Sequence, residues 1–248
     1  MNAPWVFLRG LMRDSRHWGA FPAQFRAQLP EAEIITLDLP GNGRLNHRRS
    51  PTRVEAMAEY CRAELQRQAL APPYRLLAMS LGAMVAVAWA QRYPQELQAC
   101  VLINTSLRPF SPFHHRMRPA NYPQVLRMAL TGGDAEINEA AILRMTSRSP
   151  AHQAAVLNDW VAWSRGYPVS RANALRQLLA AARFRAPLRR PETRVLLLSS
   201  LGDRLVNPRC SQRLAASWAC AHVEHPDAGH DLPLDDGPWI AEQVRRWI

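Results

Sequence analysis

Ser80 stands where a nucleophile could act. It lies in the stretch Ala-Met-Ser-Leu-Gly, between a strand-like apolar run at 74–79 and an alanine-rich helical run at 81–92. A serine on a sharp turn from strand into helix presents its hydroxyl above the sheet, where the helix N-terminus stabilises negative charge. The usual pattern is Gly-x-Ser-x-Gly, and Ala78 replaces its first glycine. Ser80 therefore fits either this turn or a plain helix N-cap without chemistry.

A serine nucleophile needs a base and a group that orients the base. Asp203 follows the apolar run at 194–199, and His230 lies in a loop after the weaker run at 221–224. Serine, aspartate and histidine occur in the chain order that accompanies a strand-turn-helix nucleophile. Taken singly, Asp203 is explained as a turn residue and His230 as an exposed loop histidine. Their joint occurrence after successive strands favours a catalytic triad with Ser80.

Other residues near His230 compete for the two later roles. Of the seven remaining histidines, only His225 also follows a strand-like run, and it comes earlier in the turn and precedes a proline. Asp203 is preferred as the acid because it occupies the turn at a strand's carboxyl end. Four rival acids lie close to His230 in the sequence: Asp227, Asp231, Asp235 and Asp236.

Strand-like and helical patterns alternate along most of the chain. The strand-like runs cover residues 5–8, 33–37, 74–79, 99–104, 194–199 and 221–224, and the helical runs cover residues 51–69, 81–92 and 238–248. Strands that alternate with helices predict a mainly parallel sheet with right-handed crossovers. The continuous apolar run at 99–104 is typical of a strand covered on both faces. The expected fold class is therefore α/β, with helices flanking the sheet.

One segment, residues 106–190, breaks this alternation. It contains no strand pattern, and prolines and the pair Gly132-Gly133 interrupt its helical patterns at 123–130, 135–145, 151–164 and 170–184. We expect an all-helical lid inserted between two strands, above the edge where open α/β sheets bind ligands. The α/β core then comprises residues 1–105 and 191–248.

Length and composition predict one sizeable core in a cytoplasmic protein. The chain has 248 residues, of which 48% are hydrophobic. No apolar run is long enough to span a membrane, and the first residues lack the pattern of a secretory signal. The four cysteines form no Cys-x-x-Cys pair and no zinc-ligand spacing with histidine, so we expect reduced thiols and no bound metal.

The positive charge is concentrated in residues 106–190. The chain has no lysine, and its 31 arginines give a net charge of +11. Thirteen arginines and four acidic residues fall within 106–190, a net charge of +9, which leaves +2 for the rest. A solvated basic surface without a partner would account for this. The alternative is an acidic partner, such as an acidic acyl carrier protein or an anionic membrane surface. Nucleic acid is a weaker candidate because no binding motif accompanies the arginines.

Four stretches of the sequence resemble the α/β-hydrolase superfamily. They are Phe7-Leu-Arg-Gly-Leu-Met, Asp38-Leu-Pro-Gly-Asn-Gly, Ala78-Met-Ser-Leu-Gly, and Gly202-Asp-Arg-Leu-Val with Asp227-Ala-Gly-His. Within the superfamily, the chain is similar to small lid-bearing carboxylesterases, including the esterases that cleave pimeloyl-carrier-protein methyl ester. We expect a sheet of about six strands, because the chain begins almost at the strand that leads into the turn at Arg9-Gly10, and the superfamily's extra N-terminal strands have no counterpart.

The resemblance also implies an oxyanion hole made of two backbone amides. One is the amide of Leu81, directly after the nucleophile. The other is the amide of Leu11, in a turn that usually contains His-Gly. Arg9 replaces that histidine here, while Gly10 is retained. No metal or organic cofactor is implied.

The expected activity is hydrolysis of a small acyl substrate through an acyl-enzyme on Ser80. The bond cleaved is either a carboxylic ester or a thioester. Two other classes remain open: a binding protein or receptor on the same fold, and another triad reaction such as acyl transfer or carbon–carbon hydrolysis. The full set of three residues favours an enzyme, since a pure binding protein does not need all of them.

Overall fold

Six parallel strands form the centre of the fold. The structure, a computed structural model, describes residues 3–248, and for residues 129–131 only the backbone. The strands pair in the order β2-β1-β3-β4-β5-β6, and every pair is parallel. Their bounds are β1 Trp5–Leu8, β2 Ile34–Leu37, β3 Tyr74–Met79, β4 Leu97–Ile103, β5 Arg194–Ser200 and β6 Ala221–His225. The predicted α/β class and the predicted number of strands are confirmed.

Ten α-helices surround these strands in the described part of the chain. They are α1 Phe21–Gln28, α2 Val54–Arg67, α3 Leu81–Arg92, α4 Phe113–Arg116, α5 Tyr122–Thr131, α6 Ala135–Thr146, α7 Pro150–Gly166, α8 Arg171–Arg183, α9 Arg209–Trp218 and α10 Leu232–Trp247. The sequence patterns missed α1, α4 and α9, which span only 8, 4 and 10 residues. Helix α10 begins at Leu232, before the predicted start at residue 238. A kink at Asp236 divides the helix, and the predicted run corresponds to the part after this kink.

The two faces of the sheet bury separate apolar clusters because side chains alternate along each strand. Val6 and Leu8 of β1 belong to the cluster that contains residues of α2 and α3. Trp5 and Phe7 belong to the cluster that contains residues of α1 and α10. All four side chains are buried. With both faces covered, the carboxyl edge of the sheet is left to the loops that follow the strands.

The inserted segment, residues 106–190, leaves the sheet after β4 and returns before β5. Its described part contains α4 to α8 and no strand, apart from a single bridge between Arg108 and Arg185. The amide of Ala186 also donates to the carbonyl of Arg108 at 2.7 Å. The two ends of the segment are therefore joined where they meet the sheet.

The four cysteines are free thiols, three of them buried and Cys220 half-buried. Burial raises the pKa of Cys61 and of Cys100 to about 12, so both thiols stay protonated at neutral pH. The buried thiols therefore contribute to packing.

Within residues 3–248, no helix combines the length and the apolar character needed to cross a membrane.

Candidate active site

Ser80 occupies a strained turn between β3 and α3. Its φ of 53° and ψ of −112° lie outside the regions that non-glycine residues usually adopt. Glycine is needed at Gly82, because a Cβ atom there would collide with the backbone carbonyl of Leu8. Ala78, the departure from the usual glycine pattern, is buried and packs its methyl group in the core. The chain therefore forms a sharp strand-to-helix turn with a half-buried serine at its tip.

Asp203 and His230 form a buried hydrogen-bonded pair. Asp203 Oδ2 lies 2.7 Å from His230 Nδ1, and their side chains are 2% and 3% exposed. The second carboxylate oxygen, Oδ1, accepts hydrogen bonds from the amides of Leu205 and Val206 at 2.8 Å each. The two amides hold the carboxylate, and the carboxylate holds the imidazole. Because Nδ1 faces Asp203, Nε2 is the ring nitrogen left to exchange a proton.

The rival acids near His230 are engaged with other groups. Asp227 contacts Arg148, Asp231 pairs with Arg9, Asp235 accepts from Ser147 and the amides of Arg148 and Gly229, and Asp236 contacts His225. His225 shapes its own loop, because its Nδ1 accepts from the amides of Asp227 and Ala228. Among the described residues, Asp203 is the acid in hydrogen-bond contact with the His230 ring.

Asn104 is a site residue that the sequence analysis missed. It follows β4 with a φ of 45°, a conformation that asparagine tolerates better than most residues. Its Nδ2 donates to the carbonyls of His230 at 2.8 Å and of Gly229 at 3.2 Å. Its Oδ1 accepts from the amide of Ser200 at 2.9 Å. Asn104 therefore links the loop of His230 to the end of β5, which leads to Asp203. The sequence signal that could have identified Asn104 is an asparagine directly after an apolar strand.

Arg9 replaces the usual histidine and makes a two-pronged ion pair with Asp231. Arg9 Nη1 and Nη2 lie 3.1 and 2.6 Å from the two carboxylate oxygens, and both side chains are buried. The guanidinium also lies 4.8 Å from the centre of the Trp18 ring. Burial raises the pKa of the Asp231 carboxyl, but the charge and hydrogen bonds of Arg9 outweigh burial and hold that pKa below its ordinary value.

The turn at residues 10–13 passes close to Ser80. A Cβ atom added at Gly10 would lie 3.3 Å from Ser80 Cβ. Within the described part of the chain, the Leu11 amide meets no acceptor. Leu81 is the first residue of α3, where backbone N–H groups lack acceptors within the helix. The structure therefore offers two amides for an external acceptor at the positions that the resemblance implied.

A cavity of about 90 Å³ is lined by both Ser80 and His230. One side of it comes from the 9–13 turn, and the other comes from the inserted segment. A second cavity of about 420 Å³ adjoins the first. Five residues line both cavities: Met12, Arg13, Val125, Met128 and Ile142. The half-buried Ser80 therefore shares the smaller cavity with residues of the inserted segment.

A polar cluster lies at the second cavity and fastens the inserted segment to the core. Arg13 lies 2.7 Å from Glu139 of α6, and its guanidinium stands 4.5 Å from the centre of the Trp160 ring of α7. The ring of His17 packs edge-on against Trp160 and Trp163. Burial and the nearby Arg13 charge lower the pKa of His17 to about 4, so this histidine is neutral at physiological pH.

The groups gathered around Ser80 are those of nucleophilic and acid–base chemistry. They comprise a hydroxyl, an imidazole with one nitrogen uncommitted, a carboxylate fixed to that imidazole, and backbone amides. In residues 3–248, no three side chains of His, Cys, Asp or Glu are grouped to hold a metal ion.

The sequence matches a family model described as the alpha/beta hydrolase family over residues 5–243. That match spans nearly the whole chain, including the inserted segment. No curated protein matches the sequence.

Solved structures share the fold at low sequence identity. An esterase from Thermogutta terrifontis is 20% identical with a TM-score of 0.76, covering 100% of this chain and 89% of that chain. An enol-lactonase from Burkholderia xenovorans is 20% identical with a TM-score of 0.79, covering 100% and 92%. A hydrolase from Pseudomonas aeruginosa is 20% identical with a TM-score of 0.79, covering 99% and 89%. These likenesses establish the common fold.

Proposed function

Because the chain belongs to the alpha/beta hydrolase family, we propose that it is a serine hydrolase that cleaves a carboxylic ester or thioester. The observation that carries this proposal is the buried Asp203–His230 pair at a cavity that Ser80 also lines. A hydroxyl, an imidazole with an available nitrogen and a carboxylate that orients the imidazole are the groups that acyl transfer through a serine requires.

The first half of the proposed reaction forms an acyl-enzyme. Ser80 Oγ attacks the carbonyl carbon of the substrate, and His230 Nε2 takes the hydroxyl proton. Asp203 keeps hydrogen on Nδ1 and stabilises the imidazolium that forms. The amides of Leu11 and Leu81 donate to the oxyanion. His230 then gives its proton to the leaving alcohol or thiol, and the acyl group stays bonded to Ser80 Oγ.

The second half of the reaction releases the acid. His230 Nε2 takes a proton from a water molecule, whose oxygen attacks the acyl carbon of the ester on Ser80. The same two amides stabilise the second oxyanion. When the bond to Ser80 Oγ breaks, His230 returns the proton to that oxygen, and the enzyme is restored with no group consumed except water.

The inserted segment, residues 106–190, acts in this proposal as a lid on a core formed by the rest of the chain. Its contacts with the histidine loop support this role. The carbonyl of Thr146 accepts from the amide of Asp231 at 2.7 Å, and Asp235 accepts from the amide of Arg148 at 2.8 Å. The lid therefore rests on the loop of the catalytic base, and the acyl group binds between lid and core.

The exposed arginines of this lid are the proposed contact for an acidic partner. Such a partner is an acidic acyl carrier protein or an anionic surface that holds the acyl substrate. Eight of the thirteen arginines in the segment are exposed: residues 144, 148, 165, 171, 183, 185, 189 and 190. Exposed charge of one sign raises the rate of association with the opposite charge.

A fluorophosphonate probe tests the proposed function directly. The probe should label Ser80 in the wild type, as located by peptide mass spectrometry. Ser80→Ala should abolish labelling and lower the rate on a panel of acyl esters by about five to six decades. Ser111→Ala, which removes another buried hydroxyl, should keep both labelling and rate. A label on a different serine, or an active wild type that resists the probe, would refute the assignment.

A further inference from the structure

Five of the chain's eight methionines line the cavity beside Ser80 and His230. They are Met12, Met79, Met117, Met128 and Met145, and together they are called the methionine chamber below. Two come from the core, and three come from the inserted segment, where one follows α4 and the others lie in α5 and α6. No two are adjacent in the sequence, so the fold brings them together.

The charged groups at the wall of the methionine chamber are compensated. Arg9 pairs with Asp231, and Arg13 lies 2.7 Å from Glu139. The hydroxyl of Thr146 is satisfied by a carbonyl of its own helix at 2.8 Å. The remaining side chains at the wall, outside the proposed catalytic groups, are apolar. The chamber is therefore suited to an apolar group and unsuited to a charged one.

The size of the chamber sets the scale of that group. A cavity of about 150 Å³ lined by apolar side chains is large enough to bind benzene. On this scale, the chamber of about 90 Å³ holds roughly four carbon atoms. Met12 and Met128 also line the adjoining cavity of about 420 Å³, so rotation of their side chains would extend the chamber in that direction.

We propose that the methionine chamber receives the acyl group of the substrate and adapts its shape to it. The substrate class is then esters or thioesters of short aliphatic acids, with straight and branched chains both accepted. Methionine suits this role because its unbranched side chain has three rotatable bonds and a polarizable sulfur, so it repacks around ligands of different shape. The inference rests on the proposed function, since it identifies the acyl site of that reaction.

Oxidation of the methionines reports whether the chamber is occupied. Met12, Met117, Met128 and Met145 are half-buried and open to peroxide, whereas Met57 and Met84 lie in the core and serve as internal controls. The protein is treated with a methyl or a butyl fluorophosphonate. In each case Ser80 Oγ bonds to phosphorus, fluoride leaves, and the hydroxyl proton passes to His230. Both adducts are then exposed to peroxide, and sulfoxides are located by peptide mass spectrometry.

The expected result is that the butyl adduct slows sulfoxide formation at the half-buried chamber methionines several-fold relative to the methyl adduct. Oxidation of Met57 and Met84 should be equal in the two adducts. Equal oxidation of the chamber methionines in both adducts would overturn the chamber while leaving the proposed function intact, since Ser80 would still be labelled.

A second measurement judges the chamber without any covalent reaction. In Ser80→Ala protein with ¹³C-labelled methionine methyl groups, n-butanol is titrated while the methionine resonances are followed. The chamber methionines should shift, and Met57 and Met84 should not. If neither phosphonate labels Ser80, the proposed function is wrong, and the titration alone decides on the chamber. Shifts that do not select the chamber methionines would overturn it.

Discussion

Arg9 and Asp231, 222 residues apart in the sequence, form an ion pair. Arg9 lies in the turn that carries Leu11, and Asp231 directly follows His230. Their two hydrogen bonds of 3.1 and 2.6 Å are buried from solvent. One ion pair therefore ties a proposed oxyanion donor to the loop of the proposed base. A histidine at position 9 could not make this two-pronged contact with a carboxylate, because only the guanidinium presents paired donors.

Removing one partner of this pair should destabilise the fold strongly. Asp231→Asn leaves the Arg9 charge buried without a counter-charge, and we expect a loss of about 3–5 kcal/mol in the free energy of unfolding. Urea denaturation measures it. Arg246→Met removes a partner from the exposed pair with Glu242 and should cost only about 0–1 kcal/mol. Equal effects of the two changes would show that burial of the Arg9 pair has no energetic consequence.

The same pair gives a defined pH dependence. Because the pKa of Asp231 is lowered in the folded state, its ionised form contributes stability that is complete above the unfolded value of about 3.9. That contribution is lost as the pH falls through the folded pKa. The difference in unfolding free energy between wild type and Asp231→Asn should be constant from about pH 5 to 7 and shrink below about pH 4. A difference that grows toward acid would contradict this.

Asp203→Asn should lower the turnover rate by up to about four decades. The amides of Leu205 and Val206 would retain the side-chain oxygen, which turns the new NH₂ group toward His230 Nδ1. Nδ1 must then accept, so hydrogen moves to Nε2 and the ring cannot serve as base toward Ser80. Steady-state kinetics on an ester measures the loss.

Matched variants test whether Asp203 is the acid. Asp227→Asn, in a side chain that is 81% exposed, should be close to wild type. His225→Ala should be mild, since that ring contacts its own loop and Asp236. If Asp203→Asn stays near full activity while a change at Asp227 or at another rival acid abolishes it, the acid is misassigned.

Asn104→Asp should reduce turnover without a comparable change in KM. The new carboxylate would face the carbonyls of His230 and Gly229, which now accept from Nδ2, so the histidine loop would shift. A displacement of about 1 Å costs on the order of 100-fold in rate. Asn46→Asp, at a hydrogen bond exposed to solvent, is the control and should be neutral. Equal losses in kcat and in stability for both variants would contradict a positioning role for Asn104.

The strained conformation of Ser80 predicts that glycine at this position stabilises the fold. At φ 53° and ψ −112°, a side chain costs about 1–3 kcal/mol, part of which the greater freedom of glycine in the unfolded chain offsets. Ser80→Gly should therefore unfold at higher urea than Ser80→Ala, by about 1 kcal/mol. Both variants lack the hydroxyl and should be inactive. If Ser80→Ala is the more stable, the turn is not strained.

The sequence revealed those parts of the site that depend on local pattern. Buried apolar runs located the strands, and Ser80, Asp203 and His230 each follow a strand, so their shared position at the sheet edge could be predicted. Periodicity shows which face of an element is buried, but it does not identify the partner. For this reason the contacts of Arg9 with Asp231 and of Asn104 with His230, which are 222 and 126 residues apart in the sequence, emerged only from the structure.

The positive charge of the proposed lid predicts a salt effect that depends on the substrate. Several of its arginines serve the fold, since Arg108, Arg116 and Arg176 donate to the carbonyls of Ala182, Ala181 and Ser50. Others, among them Arg183, Arg185 and Arg189, are exposed and belong to the proposed contact for a partner. If they attract it, the rate on a carrier-bound or vesicle-held acyl substrate should fall steeply between about 0.01 M and 1 M salt, where the screening length drops from about 30 to 3 Å. The rate on a small neutral ester should hardly change.

Charge-removing variants separate this attraction from a plain surface. The triple change Arg183→Gln, Arg185→Gln and Arg189→Gln removes exposed lid charge. It should reduce the salt dependence of the rate on the anionic substrate and leave the rate on the neutral ester unaffected. The matched control changes three exposed arginines of the core to glutamine: Arg26, Arg49 and Arg53. If the control has the same effect, or if both substrates respond to salt alike, the lid arginines are solvated surface without a partner.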